Sequence, residues 1–108
     1  MMTIRIGSLI APALGLACLF QAGEVQAKVV RIRIADMAFV PPAVAATVGD
    51  VVEWNNDDFV DHTATDTAGG FNVTIAAGKK VSVGIAEPGH FVYFCRFHPN
   101  MKGSLTIK

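Results

Sequence analysis

The chain has 108 residues, nine basic and nine acidic side chains, and no formal net charge. That length holds one small domain and excludes a second, while 52% hydrophobic against 17% charged residues excludes a disordered chain. Neutrality gives no footing to nucleic-acid binding, which needs a basic surface to displace counterions.

Residues 1–27 read as a secretory leader. Arg5 supplies a short positive start, Ile6 to Phe20 carries no charge, and Val25-Gln26-Ala27 places small residues at the −3 and −1 positions of a cleavage site. As a membrane anchor the run falls short of the roughly 20 residues a spanning helix needs, and Pro12 and Gly15 interrupt it. Gly15 also stands where a lipidation site at Cys18 would carry a large aliphatic residue. Cleavage after Ala27 is therefore the expectation, leaving residues 28–108 as the domain. The leader contains one charge of each sign, Arg5 and Glu24, so the remainder stays neutral.

From Lys28 onward the pattern is β. Lys28 to Ala35 alternates, with Val30, Ile32 and Ile34 on one face and Arg31 and Arg33 on the other. Pro41-Pro42 marks an edge or turn, Ala43 to Val48 is a weaker run, and Gly49-Asp50 punctuates before a half-buried strand at Val51–Trp54. Asn55 to Asp58 reads as a polar turn and Asp61 to Thr67 as a short strand, with a loop from Gly69 to Gly78. Val81, Val83 and Ile85 alternate with smaller residues, Glu87-Pro88-Gly89 is a turn signal, and His90 to Cys95 puts Phe91, Tyr93 and Cys95 on one face. Leu105 to Ile107 closes the chain. No apolar period of 3.6 persists for three turns, so no substantial helix is predicted. Seven or eight short strands at this spacing predict an all-β sandwich, with Trp54, Phe91 and Tyr93 in its core and His90 on its surface.

Loss of the leader removes Cys18 and leaves Cys95 alone. A lone cysteine in an exported protein is a buried thiol, a reactive thiol, an intermolecular bridge or a metal ligand. Its surroundings point to the last. Cys95-Arg96-Phe97-His98-Pro99-Asn100-Met101 places a thiolate, an imidazole and a thioether in one loop between two strands. His62, far upstream, can supply a fourth ligand. Cysteine, two histidines and methionine are the ligands of a blue-copper site. Cu(I) favours sulfur and Cu(II) favours nitrogen, so a rigid mixed set suits neither state alone and one-electron transfer needs little rearrangement. Zinc is the lesser candidate, since a methionine ligand argues for copper.

These residues resemble the small cupredoxins, and among them amicyanin and pseudoazurin. The matching stretches are Phe39 with Pro41-Pro42, then Gly49-Asp50-Val51-Val52-Glu53-Trp54-Asn55, His62, Glu87-Pro88-Gly89, and Tyr93 to Gly103. The resemblance implies a Greek-key sandwich holding one copper ion. Cys95 would be the strong equatorial thiolate, His62 and His98 the equatorial nitrogens, and Met101 the weak axial ligand. Two positions depart from the family. Thr63 follows the first histidine, where an asparagine usually ties two loops together. Phe97 precedes the second, where proline is usual, and its retained N–H is expected to donate to the Cys95 sulfur and raise the reduction potential.

The expected function is that of a periplasmic electron carrier, not an enzyme. It would be a monomer without stable membrane insertion, meeting its donor and acceptor transiently through apolar Phe97 and Pro99. Asp57, Asp58, Asp61 and Asp66 on one side, and Arg96 and Lys102 on the other, are candidates for weak steering. Copper storage, delivery or resistance is the competing reading. Beyond the leader only Met37 and Met101 supply thioethers, fewer than such a role favours. A multicopper oxidase would need more histidines than His90 provides.

Overall fold

The computed structural model describes residues 26–108. The predicted leader lies outside them apart from Gln26 and Ala27. Nine strands form: β1 (Val29–Ala35), β2 (Ala38–Val40), β3 (Ala43–Ala46), β4 (Val51–Asn56), β5 (His62–Asp66), β6 (Asn72–Ile75), β7 (Lys80–Gly84), β8 (Gly89–Phe94) and β9 (Lys102–Ile107). They make two sheets, ordered β2-β1-β4-β7 and β3-β9-β8-β5-β6. Among the described residues there is no helix, and hence none long and apolar enough to cross a membrane.

Period-two alternation drives the arrangement. In β1, Ile32 and Ile34 are fully buried, while Arg31 and Arg33 point outward and pair with Glu53 at 3.3 Å and Asp57 at 2.6 Å. Such exposed pairs contribute little, about 0–1 kcal/mol each; the burial between the sheets dominates. Trp54 and Tyr93 are fully buried as predicted, with Phe91 half-buried against them. Tyr93 meets Phe39 edge-on at 4.7 Å between centroids and Trp54 at 5.5 Å, contacts worth about 0.5–1.5 kcal/mol beyond area burial. Burial pushes the Tyr93 phenol up to about 12, moderated by neighbouring Trp54, so it stays neutral.

The strand count exceeds the expectation because of two short elements with weak sequence signals. β2 has three residues and exists as the return arm of a hairpin with β1. β6 occupies the predicted Gly69–Gly78 loop; Val73 and Ile75 turn inward as it pairs with β5. The predicted turn at Asn55–Asp58 begins two residues later, because β4 continues to Asn56 beside β1.

Two parallel pairs set the ends of the sandwich. β1 runs parallel to β4 and β3 parallel to β9. The β1–β2 turn, the β4–β5 loop and the β8–β9 loop therefore gather at one pole. At the other, the β3–β4 turn receives both ends of the described domain. Lys28 N–H donates to Asp50 Oδ1 at 3.1 Å, and Lys108 exchanges backbone bonds with Ala46 and Val48. The turn itself needs Gly49, whose φ of 99° suits no side chain well.

Asp50 also accepts the Thr47 N–H at 2.9 Å. Hydrogen bonds from Thr47 and then Lys28 hold its carboxyl below the usual value of 3.8, against the opposing effect of burial. A depressed folded-state pKa stabilises the fold above the unfolded value, and that contribution disappears as pH falls through the folded one. Asp50→Asn is therefore expected to lower stability at pH 5–7, with the gap to the parent narrowing below pH about 3.8. Urea melts across pH 2–7 check this, and a constant gap would contradict it.

Candidate metal centre

His62 opens β5, and Cys95 follows β8 directly. Because β5 and β8 are antiparallel neighbours, paired Thr65 to Phe94, the two side chains come together at the same pole. The loop from Cys95 closes on itself in steps. His98 N–H donates to Cys95 O at 3.2 Å, Met101 N–H to His98 O at 2.9 Å, and Cys95 N–H to Met101 O at 3.1 Å. The three-residue spacing matches these turns, which return His98 toward Cys95.

The donor atoms of His62, Cys95 and His98 lie within 4.8 Å of one another. Nδ1 of each histidine is 3.7 Å from Cys95 Sγ, and the rings cross at 61° with centroids 5.1 Å apart. An ion about 2.0 Å from nitrogen and about 2.3 Å from sulfur spans nearly that N···S separation at an angle of about 120°. Both N···S separations thus suit one ion shared by the three donors. His62 and Cys95 are fully buried and His98 is half-buried. Met101 is also buried, and its backbone seals the loop. His90 lies apart on the surface, with Nδ1 3.1 Å from Thr106 Oγ1.

Asp58 is the residue the sequence reading missed. Its Oδ2 sits 2.8 Å from His62 Nε2. Burial raises its pKa, but the Met37 N–H, the His62 ring and the Asp36 N–H together outweigh that and keep it below the ordinary carboxylate value. An ionised Asp58 holds the proton on Nε2, so Nδ1 presents its lone pair toward Cys95. The same carboxylate accepts Asp36 N–H at 2.8 Å and Met37 N–H at 3.0 Å. Those residues form the β1–β2 turn, with φ of 53° and 62°, a conformation unfavourable for non-glycine residues. Asn56, fully buried, braces the β4–β5 loop through Val60 O, Ile75 O and Asp58 N–H. Asp58→Ala is expected to weaken copper binding by about 10–100-fold. Competition titration against a chelator of known affinity measures it; unchanged affinity would show that Asp58 does not orient His62.

The expectation for Phe97 is corrected. Thr63, not Phe97, gives its N–H to Cys95 Sγ, at 3.3 Å, and Phe97 makes no such bond among the described residues. The reason is the sheet: β5 passes alongside the end of β8, so its second residue faces the sulfur. The acidic run is also largely committed. Asp57 pairs with Arg33, Asp61 accepts Ala77 N–H, and buried Asp66 accepts Ala68 and Gly70 N–H. Asp66 and Asp58 therefore serve the fold and the site rather than a solvated steering surface.

The fold and this donor set define a cupredoxin: the cupredoxin-like domain family matches residues 8–107, and the chain belongs to it. Its similarity within that family runs to amicyanin. Amicyanin of Paracoccus denitrificans is 28% identical over 95 residues, covering 82% of this chain and 72% of the relative. Amicyanin-alpha of Methylorubrum extorquens is 28% identical over 102 residues, covering 89% and 86%. The crystal structure of amicyanin from Paracoccus versutus superposes with a TM-score of 0.66 at 26% identity, covering 81% of this chain and 88% of that one. A small cupredoxin similar to amicyanin takes copper as its cofactor, and the His-Cys-His group is suited to one such ion.

Proposed function

We propose that the chain is a periplasmic electron carrier with a mononuclear copper site formed by His62, Cys95, His98 and Met101. The observation that carries the reading is the preformed His62-Cys95-His98 cluster, fixed by Asp58 behind His62 and by the Thr63 N–H at the Cys95 sulfur. Copper, when bound, supplies a one-electron Cu(I)/Cu(II) couple. The protein's part is to hold the donors nearly still. Strand ends and loop hydrogen bonds fix Cys95 and His62, and Met101, buried at the end of the same loop, would supply the fourth donor, a thioether.

His98 is the more exposed of the two histidines and serves as the port for the electron. It shares a shallow depression with Met37, Phe97, Pro99, Asn100 and Met101. Phe97 is 50% exposed and Met37 43%, giving an apolar rim for brief contact with a redox donor and acceptor. Docking of this kind needs no net charge, which agrees with a neutral domain acting as a monomer. The leader pattern supports export, with cleavage after about Ala27.

An optical and EPR spectrum of the copper-loaded mature protein, with voltammetry, tests the reading. Intense blue colour, a small copper hyperfine splitting and a reversible one-electron wave are expected. A colourless product with ordinary tetragonal parameters would refute it, and rapid copper loss to a chelator would favour delivery instead.

A further inference from the structure

Thr63 does more than touch the sulfur. Thr65 Oγ1 donates to Asn72 Oδ1 at 2.7 Å, which uses its single hydroxyl hydrogen. The 3.0 Å contact between the two threonine hydroxyls therefore runs from Thr63 to Thr65. Thr63 Oγ1 in turn accepts Arg96 N–H at 2.8 Å, and Arg96 Nε donates to Asn72 Oδ1 at 3.1 Å. The bonds form a closed ring, from the Arg96 backbone through Thr63, Thr65 and Asn72 back to the Arg96 side chain. Both hydroxyls accept and donate, and the Asn72 oxygen takes two donors on its two lone pairs.

The ring grips the residue after each of two ligands, Thr63 after His62 and Arg96 after Cys95. Its inner end, Thr63, is fully buried, Thr65 is half-buried, and Asn72 and Arg96 lie at the surface. We propose that Thr65 and Asn72 are positioning residues for the Cys95 sulfur. Through this ring they fix the Thr63 N–H···Sγ contact, and with it the charge the thiolate donates to the metal. The inference rests on the copper-carrier reading above. Opening the ring lengthens that contact, leaves more charge on the sulfur, favours Cu(II) and lowers the reduction potential. The guanidinium also lies 5.5 Å over the Phe97 ring, so the residue that closes the ring braces the apolar rim beside His98.

Thr65→Val keeps shape and strand propensity but deletes the hydroxyl; Thr65→Ser restores it. In metal-free protein, Thr65→Val should speed amide exchange at Arg96 and Thr63 by roughly tenfold, the equilibrium worth of one hydrogen bond, and Thr65→Ser should not. In copper-loaded protein, Thr65→Val should lower the potential and shift the Cu–S stretch in the resonance Raman spectrum. Asn72→Leu should act in the same direction but less, since water reaches its exposed oxygen site, and Asn72→Asp, which keeps the acceptor, should preserve the parent Cu–S stretch. Faster exchange with unchanged potential and Raman spectrum would reduce the ring to a structural staple and overturn the proposal. Unchanged exchange would overturn the ring itself. A parent protein lacking the blue spectrum would refute the carrier reading instead, a result separable from both.

Discussion

Replacing Cys95 by serine is expected to abolish the intense visible band of the copper-loaded protein while leaving the sandwich folded. The thiolate is the only sulfur anion at the site, and the band expected there arises from charge transfer out of that sulfur to the metal. Affinity should fall beyond the roughly 10–100-fold that loss of a ligand's hydrogen-bond partner costs. The fold should survive because a serine hydroxyl occupies nearly the same volume and still accepts the Thr63 N–H now given to Cys95 Sγ. The cost should stay below the roughly 1–3 kcal/mol of an orphaned buried donor. Absorption spectra and thermal melts of the metal-free variant separate the two effects. An intense band persisting in Cys95→Ser would place the metal elsewhere.

The second large effect concerns Gly103, which faces Tyr93 across the β8–β9 ladder. A Cβ there would stand 2.5 Å from the Tyr93 phenol oxygen and 2.8 Å from Cε1, pressed against Cζ. Tyr93 has little room to retreat, since it is wedged edge-on against Phe39 and Trp54. Gly103→Ala is therefore expected to destabilise the domain by about 1–3 kcal/mol, or roughly 4–8 °C in Tm per kcal/mol for a domain of this size. Calorimetry measures the shift. A Tm within 2 °C of the parent would mean that β9 yields where the packing says it is held.

What the amino-acid order revealed follows from how local each signal is. Cys95, His98 and Met101 lie in one short loop, so their spacing exposes them as a ligand group. His62 stands out only as a candidate fourth ligand that the family resemblance strengthens, because 33 positions separate it from Cys95 and the β5–β8 pairing brings them together. In the sequence Asp58 is one more acid in a polar turn. Its role depends on Asp36 and Met37, which a hairpin in the other sheet brings within reach. The departure at Thr63 was visible, but its outcome was not: the hydroxyl ties the two ligand loops by accepting Arg96 N–H, and the backbone supplies the sulfur contact assigned to Phe97. β6 was hidden because two glycines precede it and only Val73 and Ile75 carry the alternation. Asn56 looked like turn residue and is core, since its amide finds three partners there.

The meeting of Lys28 and Lys108 at the β3–β4 turn has a practical side. Lys28 and Lys108, at the two ends of the described domain, lie at the pole opposite His98, so an anchor attached at either residue would present the depression around His98 outward. On an electrode, immobilisation through Lys108 should give faster electron exchange with a soluble mediator than attachment through Lys102, at the mouth of the ligand loop.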